Sequence, residues 1–244
     1  MKADRWPTFR LAGQDASGTI RYHNPLPGAK EAPQCQGTCC ECSAVGLPAK
    51  LPENVSSTDP DGLCINLFAP SQITSDQRGH RVALTQATTF PFDAALALTL
   101  ETPAPLEMDI PIPVPSWAAG PMEIKVNGER TALGAPGRCT SLRRKWAGQE
   151  VIRFTLPMRF TTVKYTGLDQ APDHVDRCAL LYGPILMALN DTQERICTAP
   201  ATLPGLLAAV TGRPLHYEVP GTGYQYLAYW QVSGGFTCCP MVQP

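Results

Sequence analysis

The feature that most restricts the fold is a short alternating stretch, residues 106–114, that carries two prolines. Its apolar side chains fall at every second position, with a proline twice between them: Met108, Ile110, Pro111, Ile112, Pro113, Val114. Side chains two positions apart share one face of a strand, so the apolar residues predict a buried face. Because proline lacks a backbone N–H and breaks helices, the stretch is predicted to be an edge strand.

Other strand-sized segments run through most of the chain, separated by turn residues. The 244 residues include 25 Pro and 20 Gly, which favours short strands joined by turns. The predicted strands are residues 63–68, 81–92, 94–101, 122–126, 151–156, 161–165 and 179–189. Asn127-Gly128 predicts a tight hairpin. Residues 71–80 indicate a polar loop and residues 203–210 a short helix. This spacing predicts a mainly β chain built as a jelly-roll-like β-sandwich.

The chemistry of the chain is concentrated in one cysteine cluster. Four thiols fall within eight residues: Cys35, Cys39, Cys40 and Cys42. Thr38 and Glu41 have the spacing of a helix capping box, and Pro48 would shorten or kink the helix that follows. A helix N-terminus favours thiolate over thiol, so this placement would activate the adjacent cysteine pair.

Two other interpretations of the cluster remain open. Cys35, Cys40 and Cys42 could hold zinc with His23 as a fourth ligand, although their spacing differs from the usual paired C-x₂-C arrangement. Alternatively, the four cysteines are thiols without a metal.

Charge and hydropathy limit the partners. The formal net charge is −1, and no like-charge run stands out, which argues against nucleic acid as a partner. No apolar run reaches the roughly 20 residues that span a bilayer, so no membrane association is expected. The first residues lack a signal-peptide pattern, and a cytoplasmic location is predicted. A homodimer is compatible with the sequence.

The motifs, taken in order, resemble the β-L-arabinofuranosidase family of glycoside hydrolases (family 127 and its relatives). The matching segments are Tyr22-His23-Asn24-Pro25-Leu26, Thr38-Cys39-Cys40-Glu41, residues 61–70, residues 110–117, Val126-Asn127-Gly128-Glu129, residues 146–157 and Leu181-Tyr182-Gly183-Pro184. The match runs from about residue 20 to about residue 190, and the order and spacing of the segments make it specific.

The resemblance implies a domain organisation. Members combine an (α/α)₆ catalytic barrel with following β-sandwich domains, and this chain is expected to carry only the C-terminal part. Residues 1–58 are then a short helical remnant of the barrel with the Cys-Cys motif, residues 59–190 a β-sandwich domain, and residues 191–244 a β-rich tail.

The resemblance also implies a zinc-dependent, retaining glycoside hydrolase acting on β-L-arabinofuranosides or related glycans. Cys39 would be the nucleophile and Cys40 a zinc ligand. In the family, the other zinc ligands form a Glu-x-Cys pair that precedes the cysteine pair, and the acid/base Glu precedes it too. In this sequence no Glu-x-Cys occurs before Cys39. The alternative is a non-catalytic accessory β-sandwich for glycan binding or oligomer contacts. Trp117, Trp146 and Trp230 are candidates for stacking on sugars, with Trp117 and Trp146 expected in the core.

Overall fold

The computed structural model describes residues 27–29, 50–164, 177–190, 195–196, 201–232, 235–238 and 241–242. Backbone contacts divide the chain into two compact units, Leu47–Met158 and the combination of Met1–Gly46 with Arg159–Pro244. Most described residues lie in strands, which confirms the mainly β prediction. Residues 50–54 are helical. The predicted barrel remnant, residues 1–58, lies largely outside the described residues and stays a prediction.

The described strands are short apart from two that exceed ten residues. In chain order they are β1 (Pro27–Ala29), β2 (Ser56–Asp59), β3 (Gly62–Ile65), β4 (Ser71–Gln77), β5 (His80–Thr88), β6 (Ala95–Met108), β7 (Ile112–Pro113), β8 (Met122–Val126), β9 (Glu129–Gly134), β10 (Cys139–Thr140), β11 (Arg144–Thr155), β12 (Phe160–Lys164), β13 (Cys178–Tyr182), β14 (Ile185–Leu189), β15 (Arg195–Ile196), β16 (Ala208–Ala209), β17 (His216–Val219), β18 (Tyr224–Ala228), β19 (Gly235–Thr237) and β20 (Met241–Val242). The labelled helices are α1 (Leu203–Leu206) and a 3₁₀ turn at Tyr229–Gln231.

The unit Leu47–Met158 is built on a six-stranded antiparallel sheet in the order β4-β5-β6-β11-β8-β9. Apolar residues at every second position give this sheet one buried face, including Val82, Leu84, Leu98, Leu100, Ile124, Ile152 and Phe154. The β2–β3 hairpin and the β7–β10 pair lie outside this sheet, and their buried side chains, Leu63, Ile65 and Ile112, join the same core. This is a two-layer arrangement whose inner faces share one core, as in a sandwich.

The proline-bearing stretch bends between these two layers. Met108, Ile110, Ile112 and Val114 are all buried, which confirms the predicted face. The single edge strand that we predicted is wrong, because β6 ends at Met108 and the next residues leave the large sheet. There they have neighbours on both sides: Asp109 bridges Gly62, while β7 pairs with β10. Since Pro111 and Pro113 cannot donate a backbone hydrogen bond, they end regular pairing where the chain changes layer.

Two turns show where local sequence signals succeed and fail. Asn127 and Gly128 connect β8 and β9 with φ of 52° and 89°, which confirms the hairpin. Residues 71–80, predicted as a loop, instead form β4 and the turn at Arg78 and Gly79 into β5. The side chains of β4 are mostly polar and half exposed, so this edge strand lacks the apolar alternation that predicts a strand.

The second unit contains an eight-stranded sheet. Its main path is β1-β19-β14-β18-β17-β16, and β13 pairs with both β14 and β12. Leu180, Ile185, Met187, Leu189 and Tyr226 are buried and share one face. The other face packs a smaller cluster that includes Ala188, Phe236 and Cys238. The predicted boundary at residue 190 falls inside this sheet, because β14 and β18 are neighbours. The three predicted segments do not coincide with the two units, and their division stays a prediction.

Among the described residues, none of the helices has both the length and the apolar character needed to cross a bilayer.

Candidate functional site

The two predicted site residues lie outside the described part of the chain. Cys39 and Cys40 fall between β1, whose backbone pairs with β19, and the helical residues 50–54. Cys35, Cys42 and His23 are also outside the described residues. Their roles as nucleophile and metal ligands therefore stay predictions.

The described cysteines do not provide a second reactive site. Cys64 is half-buried on β3, and burial is the main cause that raises the pKa of its thiol; a hydrogen bond with Ser57 opposes this. A raised pKa leaves the group as a thiol at neutral pH, which is the weaker nucleophile and metal ligand. Cys139, in β10, is exposed. Within the described residues, no three side chains of His, Cys, Asp or Glu are grouped so that they could hold a metal ion.

A buried carboxylate, Glu150, was not singled out from the sequence. It is 6% exposed and faces inward from β11. One carboxylate oxygen accepts the Ala147 N–H at 3.0 Å, and the other accepts bonds from Asn127 Nδ2 and Arg144 Nη2, both at 3.2 Å. Ala147 sits at a bulge where the β6–β11 register shifts. With both oxygens engaged, Glu150 holds the bulge and the β8–β9 hairpin rather than serving as a general acid or base.

The tryptophans are placed mainly by packing. Trp146 is fully buried, its Nε1 donates to the Met108 carbonyl at 3.1 Å, and the Arg144 guanidinium lies 5.1 Å from its ring centre. This confirms it as a core residue and leaves no face for a sugar. Trp117 packs partly buried against the same core and stacks on Phe90, with 6.2 Å between ring centres. Trp230 is half-buried in the other unit.

Aromatic rings also gather on one face of the eight-stranded sheet. Phe160 lies 4.6 Å from Tyr182 and 4.7 Å from Tyr217, and the two tyrosine rings are 5.5 Å apart, all between ring centres. All three are half-buried. Burial, followed by the neighbouring Tyr182, raises the pKa of Tyr217, so its phenol stays neutral in ordinary buffers. No local sequence pattern predicts this cluster, because the rings come from three separate strands.

The family comparison concerns the unit that holds Glu150 and Trp146. The family model described as the GH127 middle domain of β-L-arabinofuranosidases matches residues 62–158, which run from β3 to just past β11. Residues 62–158 therefore resemble a GH127 middle domain. The predicted resemblance to family 127 is thereby confirmed.

Solved structures extend the likeness beyond the GH127 middle domain. A GH127 β-L-arabinofuranosidase from Geobacillus stearothermophilus T6 matches with a TM-score of 0.69 and 19% identity, over 96% of this chain and 44% of that one. The GH127 β-arabinofuranosidase BT3674 matches with a TM-score of 0.71 and 18% identity, over 96% of this chain and 44% of that one. A structure described as a glycoside hydrolase matches with a TM-score of 0.71 and 15% identity, over 96% of this chain and 46% of that one.

At these identities the likeness shows the fold, and the chain spans less than half the length of these proteins. No curated protein sequence matches the chain.

Proposed function

We propose that this chain is the part of a GH127 glycoside hydrolase that follows the catalytic barrel, in an enzyme acting on β-L-arabinofuranosides or related glycans. The observation that carries the proposal is the match of residues 62–158 to the GH127 middle domain. Two of the similar solved structures are described as arabinofuranosidases, which supports the choice of substrate class.

In this proposal the Cys39 thiolate attacks the anomeric carbon of the sugar. A carbon–sulfur bond forms as the glycosidic carbon–oxygen bond breaks, and the leaving oxygen takes a proton from the acid/base Glu of the barrel. Water activated by the same Glu then attacks the anomeric carbon, and the thiolate leaves. Two inversions at one carbon give net retention of configuration.

Zinc fits the chemistry of the cysteine cluster, because thiolates are ordinary zinc ligands. Cys40 would hold the ion. A bound zinc would lower the basicity of nearby sulfur, which makes a thiolate available and improves it as a leaving group. The sequence contributes no Glu-x-Cys pair before Cys39, so further polypeptide must complete the ligand set and supply the acid/base Glu.

The test is reconstitution of the chain with the barrel part of a GH127 enzyme, assayed on 4-nitrophenyl β-L-arabinofuranoside. Cys39→Ala is expected to abolish hydrolysis, whereas Cys139→Ala, which removes an exposed thiol from the other unit, should leave it unchanged. Mass spectrometry during turnover should find a glycosyl adduct on Cys39. Full activity of the Cys39→Ala protein would refute the nucleophile assignment.

The metal is tested separately by elemental analysis of the same preparation. Cys40→Ala is expected to lose zinc in parallel with activity, with Cys64→Ala as the control for a half-buried thiol outside the cluster. Zinc that stays bound in the Cys40→Ala protein would exclude this cysteine as an essential ligand.

A second candidate is a non-catalytic accessory chain that binds glycans or forms a homodimer. This candidate is favoured because the chain spans only about 44–46% of the length of the similar solved structures. Light scattering of the purified chain and a glycan-binding screen test it. A monomer without affinity for any glycan would rule this candidate out.

A further inference from the structure

The six-stranded sheet ends on one side in a strand whose outer edge is open. β4 is the last strand in the order β4-β5-β6-β11-β8-β9, and in the part of the chain that the structure describes no strand lies on its other side. All seven residues of β4 pair with β5 without a register shift. β4 is therefore a regular edge strand that carries a row of backbone groups available for pairing.

The turn after β4 decides which backbone groups point outward. Gln77 and His80 are partners across a two-residue turn, in which Arg78 and Gly79 have φ of 55° and 81°. The closing pair of such a turn exchanges both of its backbone hydrogen bonds, and bonded positions alternate along an antiparallel ladder. Every second residue, counted back from Gln77, therefore bonds to β5. The residues between them turn their N–H and C=O groups away from β5, and we call them the open edge: Gln72, Thr74 and Asp76.

The two edges of this sheet differ in how they are protected. On β9, at the other end, Glu129 and Arg130 are charged and exposed, and the register against β8 shifts once. Charges and bulges are devices that keep an edge from pairing with another chain. β4 has no lysine, arginine, proline or register shift, and the carboxylate of its one charged residue, Asp76, accepts the Gly79 N–H at 2.8 Å. β4 therefore lacks the protection that β9 has.

We propose that β4 is a homodimer interface, where β4 of a second copy adds in antiparallel orientation about a two-fold axis at Thr74. The register follows from the open edge. Only a ladder centred on Thr74 pairs all of its residues, Thr74 with its own counterpart and Gln72 with Asp76 in both directions, each pair exchanging both backbone hydrogen bonds. Such a contact uses the same surface on both copies, so it closes at two copies.

The side chains of the open edge fit the same register. All three are exposed, so they are free to meet a second copy. Across the axis the Gln72 amide, a donor, lies opposite the Asp76 carboxylate, an acceptor, and two threonines face each other. A ladder centred on Asp76 would instead place two carboxylates opposite each other and bond fewer groups. A second copy is thus a partner with an equally open and complementary edge.

The experiment is sedimentation velocity of the full chain at about 1 to 300 μM, a range chosen because so small an interface gives weak association. The parent should show a monomer–dimer equilibrium. Thr74→Lys places two ammonium groups opposite each other at the axis and should weaken association about fivefold or more. Thr74→Val keeps a β-branched pair and should associate as the parent does. The matched control is Thr131→Lys, the same change at an exposed position of β9, which should also leave association unchanged.

Two further measurements identify the occupant and check folding. Hydrogen exchange at the open edge should slow as the concentration of the parent rises, and this dependence should disappear in Thr74→Lys. Thr74 is exposed and lies opposite Ala83 on β5, so both lysine variants should keep the parental unfolding midpoint. The proposal is overturned if the parent is a monomer throughout, or if Thr74→Lys and Thr131→Lys associate equally. Slow exchange that does not depend on concentration would also overturn it, because a segment of the same chain would then cover β4.

The outcomes separate this inference from the proposed function, since the interface requires no catalysis. A dimer without hydrolysis after reconstitution refutes the catalytic proposal only. Hydrolysis by a chain that stays monomeric refutes the β4 interface only. A dimer that Thr74→Lys does not weaken leaves the accessory candidate standing and overturns β4 as its contact.

Discussion

The ring of Phe160 on β12 meets the ring of Tyr217 on β17 edge to face, with 4.7 Å between the ring centres. Three strands, β13, β14 and β18, lie between them along the sheet. In a flat sheet four strand spacings would hold the two backbones about 19 Å apart. The sheet is therefore strongly curled, and this contact joins strands near its opposite ends.

Replacing Phe160 tests how much the contact stabilises the curl. Phe160→Ala removes a half-buried ring with two aromatic neighbours and should lower the free energy of unfolding by about 2 kcal/mol. Urea unfolding followed by circular dichroism measures the loss, and hydrogen exchange should rise in β12 and β17. Phe92→Ala, which truncates a ring that is 51% exposed, should cost under about 0.5 kcal/mol. Equal losses in the two variants would contradict the prediction.

Replacing Glu150 tests the network at the β11 bulge. Glu150→Ala leaves the Ala147 N–H and the Asn127 amide without their acceptor, and should lower the free energy of unfolding by about 3 kcal/mol. Glu150→Gln keeps an acceptor and should lose about half as much. Glu107→Gln is the control, because its ion pair with Arg143 is 3.9 Å long and exposed, and it should have almost no effect. Thermal melts of the three variants measure these losses. A midpoint of Glu150→Ala that is not the lowest of the three would contradict the prediction.

Gly62 should tolerate no side chain. A Cβ built there would collide with the Asp109 backbone carbonyl, at the bridge that joins β3 to the proline-bearing segment. Gly62→Ala must push these backbones apart and should cost about 3 kcal/mol, measured by urea unfolding. Gly120→Ala is a matched control with open space around its Cβ position. Unchanged stability of Gly62→Ala would show that the two segments are not so close.

The Cys64 thiol should react slowly and at high pH. Because burial raises its pKa, the thiolate fraction at any given pH is smaller than for the same residue in the unfolded chain. Alkylation by iodoacetamide, followed peptide by peptide with mass spectrometry, should reach half its maximal rate at a higher pH in the folded protein than in urea. Exposed Cys139 should be modified before Cys64 at pH 7. A lower half-maximal pH in the folded protein would mean that Cys64 is activated instead.

Part of the interior was readable from local pattern. Ile152 and Phe154 are inward-facing, and Glu150 lies in the same phase of β11, so strict alternation would have placed this carboxylate inside. It was missed because a glutamate in a sequence is ordinarily taken for a solvent-exposed residue. The strand β4 was missed because a polar edge strand has little apolar alternation to detect.

The sequence by itself determined the mainly β class, the Asn127-Gly128 hairpin, the buried face of the proline-bearing stretch and the resemblance of residues 62–158 to the GH127 middle domain. These depend on backbone sterics and on a two-residue period, which neighbouring residues carry. Only the tertiary structure decided that this stretch changes layer and that Phe160 meets Tyr217, because strand pairing and sheet curl join residues far apart in the chain. The assignment of Cys39 and Cys40 stays a prediction from the sequence.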